Sequence, residues 1–203
     1  MTEAIATTEP PVWCRRTLII DAAAMAGGAL LAAVLLDPIA AGFAVLWWIA
    51  TVVVVRWDLS RFIIPDTASA AIAGLGLFSA AGIGRVEETD GRIAALTAAA
   101  LGGAVAFALF WLTAQLYRRA SGRDGLGFGD VKLAGACGVW LGYADQAMAL
   151  EVAAVAALAV VVLARRGRPE RDLAVPFGAF LAPAAWLVFV AGPAVRHMVE
   201  VHG

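Results

Sequence analysis

Long apolar runs with almost no internal charge alternate with short, charged breaks along the whole chain. They fall at about 17–36, 38–56, 64–84, 93–117, 131–143, 147–164 and 174–195. Six are long enough, or nearly so, to cross a hydrocarbon layer about 30 Å thick at about 1.5 Å per helical residue. The run at 131–143 would reach only about 20 Å on that rise. It crosses if its helix takes up flanking residues, which would set Asp130 at the membrane boundary. The runs are continuous rather than alternating and rich in Ala, Leu, Val and Gly, which predicts helices and not the strands of an outer-membrane barrel. The expected fold is an all-α membrane protein. It is a polytopic bundle of about seven transmembrane helices in a single domain over residues 1–203, with 1–16 a flexible cytoplasmic N-terminus.

Composition agrees with that pattern. Hydrophobic residues make up 62% of the 203-residue chain and charged ones 15%, against about 25% charged in soluble domains. A polar shell around an ordinary globular core is therefore excluded. The net charge of −1 does not point to a partner, and no nucleic-acid partner is expected; membrane lipid is. The distribution of charge matters more. Arg15, Arg16, Arg56, Arg61, Arg118, Arg119, Arg123, Lys132, Arg165, Arg166, Arg168 and Arg171 fall in one alternating set of breaks, and only Arg85, Arg92 and Arg196 in the other. Basic residues are retained on the cytoplasmic side. This bias predicts a cytoplasmic N-terminus, cytoplasmic breaks near 56–63, 118–132 and 165–173, and a C-terminus outside. Arg15-Arg16 ahead of the first run could mark a secretory signal. However, that run ends in Leu35-Leu36-Asp37-Pro38 without a small-x-small cleavage site, so an uncleaved first span is expected.

Two acids stand out in a chain that avoids charge. Asp58 follows the second run in Trp57-Asp58-Leu59-Ser60-Arg61, and Asp130 opens the fifth in Gly127-Phe128-Gly129-Asp130-Val131-Lys132. A carboxyl at the edge of hydrocarbon is costly to ionise and is a functional candidate by default. The topology read from basic residues alone puts both at the cytoplasmic face. Gly127 and Gly129 free the backbone ahead of Asp130. Gly135, Gly138 and Gly142 would let one side of the fifth helix press against a neighbour. Pro65 suits the first turn of the third helix and forces a sharp return after Asp58.

Other polar residues are given structural roles. Cys14 and Cys137 form no CxxC pair, so neither a zinc site nor a disulfide framework is expected, and Cys137 reads as a small packing residue. His197 and His202 flank Glu200 but lack further ligands, so no metal is expected there; nor is any cofactor. Asp21 and Glu151 lie near the ends of their runs and can reach an interface. Trp47, Trp48, Trp57, Trp111 and Tyr117 are expected to anchor span ends.

The chain resembles bacterial type IV prepilin peptidases, membrane aspartic proteases with a GxGD motif. Three ordered stretches carry the resemblance: Asp58, six residues and Pro65-Asp66; Gly127-Phe128-Gly129-Asp130-Val131-Lys132-Leu133, continuing to Gly138-Val139-Trp140-Leu141-Gly142; and Val175-Pro176-Phe177-Gly178-Ala179-Phe180-Leu181-Ala182. The third has Ala179 where the family often has proline. Longer members add a cytoplasmic domain with paired CxxC motifs, associated with N-methylation. Here only Asp37-Pro38 separates the first two runs, so the resemblance is to the short form of tight-adherence (Flp) pilus systems, without methyltransferase activity.

The resemblance implies that Asp58 and Asp130 are a catalytic pair which shares a proton and activates water. It further implies prepilin or pseudopilin precursors as substrates, cut where a basic leader meets an apolar helix, in the bacterial inner membrane, with pilus or secretion assembly machinery as further partners. The net basic face would repel such a leader, and anionic lipids could supply the attraction. Asp66 and Asp124 are candidates for leader binding; each also has a plainer reading, as a helix-start charge and a solvated loop charge. Lys132 is open between tuning the acid pair and extending to lipid headgroups. Within the protease class, an enzyme like archaeal preflagellin peptidases is the alternative. A small proton-coupled transporter is another, although it would favour acids at the midplane and an internal repeat.

Overall fold

The computed structural model describes residues 12–82, 89–123, 125–165 and 175–202. These form six helical elements: α1 (Val12–Leu35), α2 (Pro38–Arg61), α3 (Asp66–Ala80), α4 (Thr89–Ser121), α5 (Phe128–Arg165) and α6 (Gly178–His202). No strand occurs among the described residues. Four of the helices are long and apolar enough to span a membrane, and Ile20–Leu35 is a shorter apolar helix. The outer surface is apolar as well: Leu30, Val34, Leu101, Val155 and Leu158 are each more than 60% exposed. A soluble protein does not present such a contiguous surface to water. The chain is a multi-pass, all-α membrane protein.

Seven spans were expected, and six elements are seen. The difference lies in α5, which contains the expected fifth and sixth spans as two arms. Gly142, at φ 64° and ψ −172°, breaks the helix between them. Gly138 and Gly135 press on Gly102, Gly103 and Phe107 of α4. Beyond the break, Gly142 to Leu150 line one cavity with α4 residues from Ala98 to Thr113. Both arms therefore run along α4 in the same direction away from Gly142, and the chain doubles back there. Sequence placed a short connection near 144–146, but one residue makes the turn. Its backbone angles are in a region that only glycine occupies readily.

The direction of each helix follows from its contacts. Asp37 caps α2, its Oδ1 accepting the Ala40 N–H at 3.0 Å, and Pro38 supplies the first helical residue. With only Leu36 and Asp37 between them, α1 and α2 are antiparallel. Arg56, near the end of α2, donates to Asp21, near the start of α1, at 3.1 Å from Nε to Oδ1. The Trp48 indole donates to the Ala24 carbonyl at 2.9 Å. The second helix also runs on to Arg61, five residues beyond the expected end, so Asp58 lies in its last turn and not beyond it.

At the centre, Trp47 is fully buried. It stacks on Trp140 at 4.6 Å between ring centroids, with Phe189 at 5.4 Å. The expectation of a span-end anchor fails for Trp47 because α5 and α6 close over it. Trp140 donates to the Ile72 carbonyl and Trp186 to the Ala44 carbonyl, both at 2.8 Å, so two indole N–H groups are satisfied inside the bundle. These contacts fix α2, α3, α5 and α6 around one core.

Candidate active site

Three chain segments meet at one end of that core. The first is the end of α2. After Arg61, Phe62 takes a left-handed conformation (φ 54°) and its N–H bonds back to the Asp58 carbonyl at 2.9 Å. Ile63 and Ile64 then lead to Pro65, which precedes the first residue of α3. The second segment is the start of α5, where the Asp130 N–H donates to the Gly127 carbonyl at 3.1 Å. The third is the start of α6, Gly178-Ala179.

Asp58 and Asp130 converge on Gly178. A Cβ placed on that glycine would be 3.1 Å from Asp58 Oδ2 and 3.2 Å from Asp130 Oδ1. Two oxygens within 3.2 Å of a single point are separated by at most twice that distance. Asp58 is 4% exposed and its Oδ2 accepts the Ala179 N–H at 2.8 Å. Asp130 Oδ1 is buried without a hydrogen-bond partner. The two groups are close enough to act on each other electrostatically. Paired carboxyls in this setting can share one proton and polarise a water between them.

The other sequence candidates divide into those at the site and those beside it. Gly127 and Gly129 are at the site. Neither has positive φ, so the backbone freedom expected of them is not what they supply. They supply space: a Cβ on Gly127 would be 3.2 Å from Asp130 Oδ2, and one on Gly129 would be 3.2 Å from Ile64 Cβ. Pro65 turns the chain into α3. Asp66 and Lys132 lie beside the pair and form an ion pair with each other; Lys132 does not reach into the site. Asp124 lies outside the described residues, as do Arg85, Arg166, Arg168 and Arg171 among the basic residues used for orientation. Among the described residues no group of three or more His, Cys, Asp or Glu gathers that could hold a metal.

The sequence assigned no site role to Gly178, Ala179 or Ile64. Ile64 is 7% exposed, and its Cδ1 would be 2.5 Å from a Cβ on Gly178. It packs from the α2–α3 turn against Gly129 and Gly178, beside the acids. The only signal for Gly178 and Ala179 was their place in the third motif.

The class of protein is a matter of comparison as well as geometry. Residues 43–163 match the type IV leader peptidase family. A prepilin leader peptidase/N-methyltransferase of Burkholderia pseudomallei is 32% identical over 88% of this chain and 56% of its own length. Proteins of the same description from Xanthomonas campestris and Pseudomonas aeruginosa are 31% and 24% identical, over 66% and 74% of this chain and 45% and 52% of theirs. No solved structure matches. The chain belongs to the type IV leader peptidase family and spans about half the length of the curated relatives it matches.

Proposed function

We propose that this protein is an intramembrane aspartic endopeptidase that removes the basic leader from type IV prepilin-like precursors. What supports the reading above all is the meeting of Asp58 and Asp130 at Gly178, from helices far apart in sequence. Family membership and the relatives' name, prepilin leader peptidase, agree with it. The methyltransferase half of that name is not carried over to this chain.

In the proposed reaction the pair holds one proton. The ionised carboxyl takes a proton from water as it attacks the scissile carbonyl, and the protonated one gives a proton to the developing oxyanion. The tetrahedral diol collapses as the newly protonated carboxyl gives its proton to the leaving amine and the ionised one takes a proton from a diol hydroxyl, which restores the starting state. Asp58 is oriented by the Ala179 N–H. Asp130 Oδ1 is buried without a hydrogen-bond partner, so a water or substrate carbonyl admitted to the site would meet an unoccupied acceptor. Each carboxyl is needed in both half-steps, so neither can be spared.

The site is proposed to open to the cytoplasmic side of the bacterial inner membrane, where a leader that has not crossed can reach it. Pilus or secretion assembly machinery would then take up the trimmed product. The test is incubation of purified protein in detergent with precursors that carry a short basic leader ahead of an apolar helix. Wild type should cleave, and Asp58→Asn and Asp130→Asn should each lose about three orders of magnitude or more, as expected for groups acting as a unit. Cleavage retained by either variant overturns the assignment.

A further inference from the structure

The helices that carry the two acids do not pack backbone to backbone. Among the described residues α2 and α5 are bridged by α6 on one side and α3 on the other, apart from the Trp47–Trp140 ring stack deeper in the core. At the active-site end the α6 bridge is the Gly178-Ala179 backbone. The α3 bridge at that end is the Asp66–Lys132 ion pair. Asp66 is the one charged residue in α3. Lys132 is held from a second direction by the Phe128 ring, 5.1 Å from its Nζ to the centroid.

The pair closes a second route between the acids, apart from the one through Gly178. Lys132 follows Asp130 by two positions, and Asp66 is joined to Asp58 through the last turn of α2 and the turn at 62–65. Asp58, that turn, Asp66, Lys132 and Asp130 thus form a closed ring, with Ile64 on its inner side against Gly129 and Gly178. Residues two apart on a helix face away from each other, so Lys132 does not touch the acid it follows. Its link to the site runs through Asp66.

We propose that the Asp66–Lys132 ion pair is a positioning element: by fixing the start of α5 to the α2–α3 turn, it sets the alignment of the Asp58 and Asp130 carboxyls. The inference rests on the peptidase reading above. Asp66 is 76% exposed, and an exposed ion pair adds little to stability. Its loss should therefore register in turnover before it registers in melting.

The experiment compares Asp66→Asn, Lys132→Gln, Lys132→Arg and the charge swap D66K/K132D, using the same precursor cleavage with a thermal melt of each protein. Each neutral variant should lower kcat by roughly tenfold or more through misalignment, with KM held within about twofold and the pH profile unmoved. Lys132→Arg and the swap should return kcat to within about threefold of wild type, because the attraction is restored. Three results would overturn the proposal. The first is unchanged kcat in both neutral variants. The second is a pH profile displaced by Lys132→Gln alone, which would make the lysine a direct influence on the acids. The third is a KM increase confined to Asp66→Asn, which would make that acid a leader-binding group. Loss of activity in wild type, or its survival in Asp58→Asn or Asp130→Asn, would instead defeat the peptidase reading itself.

Discussion

One methyl group at position 178 would meet three atoms of the site at once. A Cβ there lies 2.5 Å from Ile64 Cδ1 and just over 3 Å from one oxygen of each acid. Ile64 can yield, since its Cδ1 is the far end of a flexible side chain; the acids cannot yield without losing register. Gly178→Ala should therefore reduce cleavage by about tenfold or more, as misplacement of a reacting group does, with a smaller change in thermal midpoint. Equal activity to wild type would show that the acids do not need this close approach. Asp58 and Asp130 were legible in sequence because an ionisable group in an apolar chain has few idle uses. Gly178 was not, being one glycine among 21 whose importance depends on two acids far from it in the chain. Trp47 was misread for a related reason: an indole near a run's end looks the same whether lipid or another helix covers it.

The helical elements show where hydropathy is a good guide and where it stops. Their existence and approximate limits followed from the apolar runs. The division of α5 did not: the apolar runs left a gap at 144–146, and the turn is at Gly142, inside the first of the two runs. An alanine at Gly142 would have to occupy φ 64°, ψ −172°, at a cost of about 1–3 kcal/mol. Gly142→Ala should lower the melting temperature in detergent, whereas Gly42→Ala, where a Cβ meets nothing within 4 Å, should not. At the α4–α5 contact a Cβ on Gly138 would be 2.7 Å from the Ala106 Cβ and from the Gly102 carbonyl oxygen. Overpacking of this kind costs about 1–3 kcal/mol. Gly138→Val should thus destabilise the protein and also loosen the start of α5. A melting temperature equal to wild type would contradict the close approach of these helices.

For the molecule as a whole, the number of crossings can be read from where the ends lie. The starts of α5 and α6 and the end of α2 share the acid site, and the Arg56–Asp21 pair sets the start of α1 at the same level. The far end of α6 then belongs to the opposite face, which requires an odd number of crossings, as a doubled-back α5 provides. Single cysteines at Ser60 and His197, both exposed, should react with a membrane-impermeant thiol reagent from opposite sides. Reaction from the same side would refute this arrangement. The sequence reached the shared face of the two acids from basic residues alone, although several of those residues lie outside the described structure. It could not reach the third participant, the start of α6, because nothing in hydropathy says which helix ends touch.

Ile64 carries a kinetic consequence. Asp58 is almost wholly covered and this side chain lies against Gly129 and Gly178 beside the acids, so on the proposed peptidase reading an extended polypeptide would reach them by displacing it. Turnover would then include a gating event, and a hydroxyl-bearing mimic of the tetrahedral species should associate slowly, with a lag that Ile64→Ala shortens. Stopped-flow fluorescence on the two proteins would measure it, and identical association rates would remove the gate.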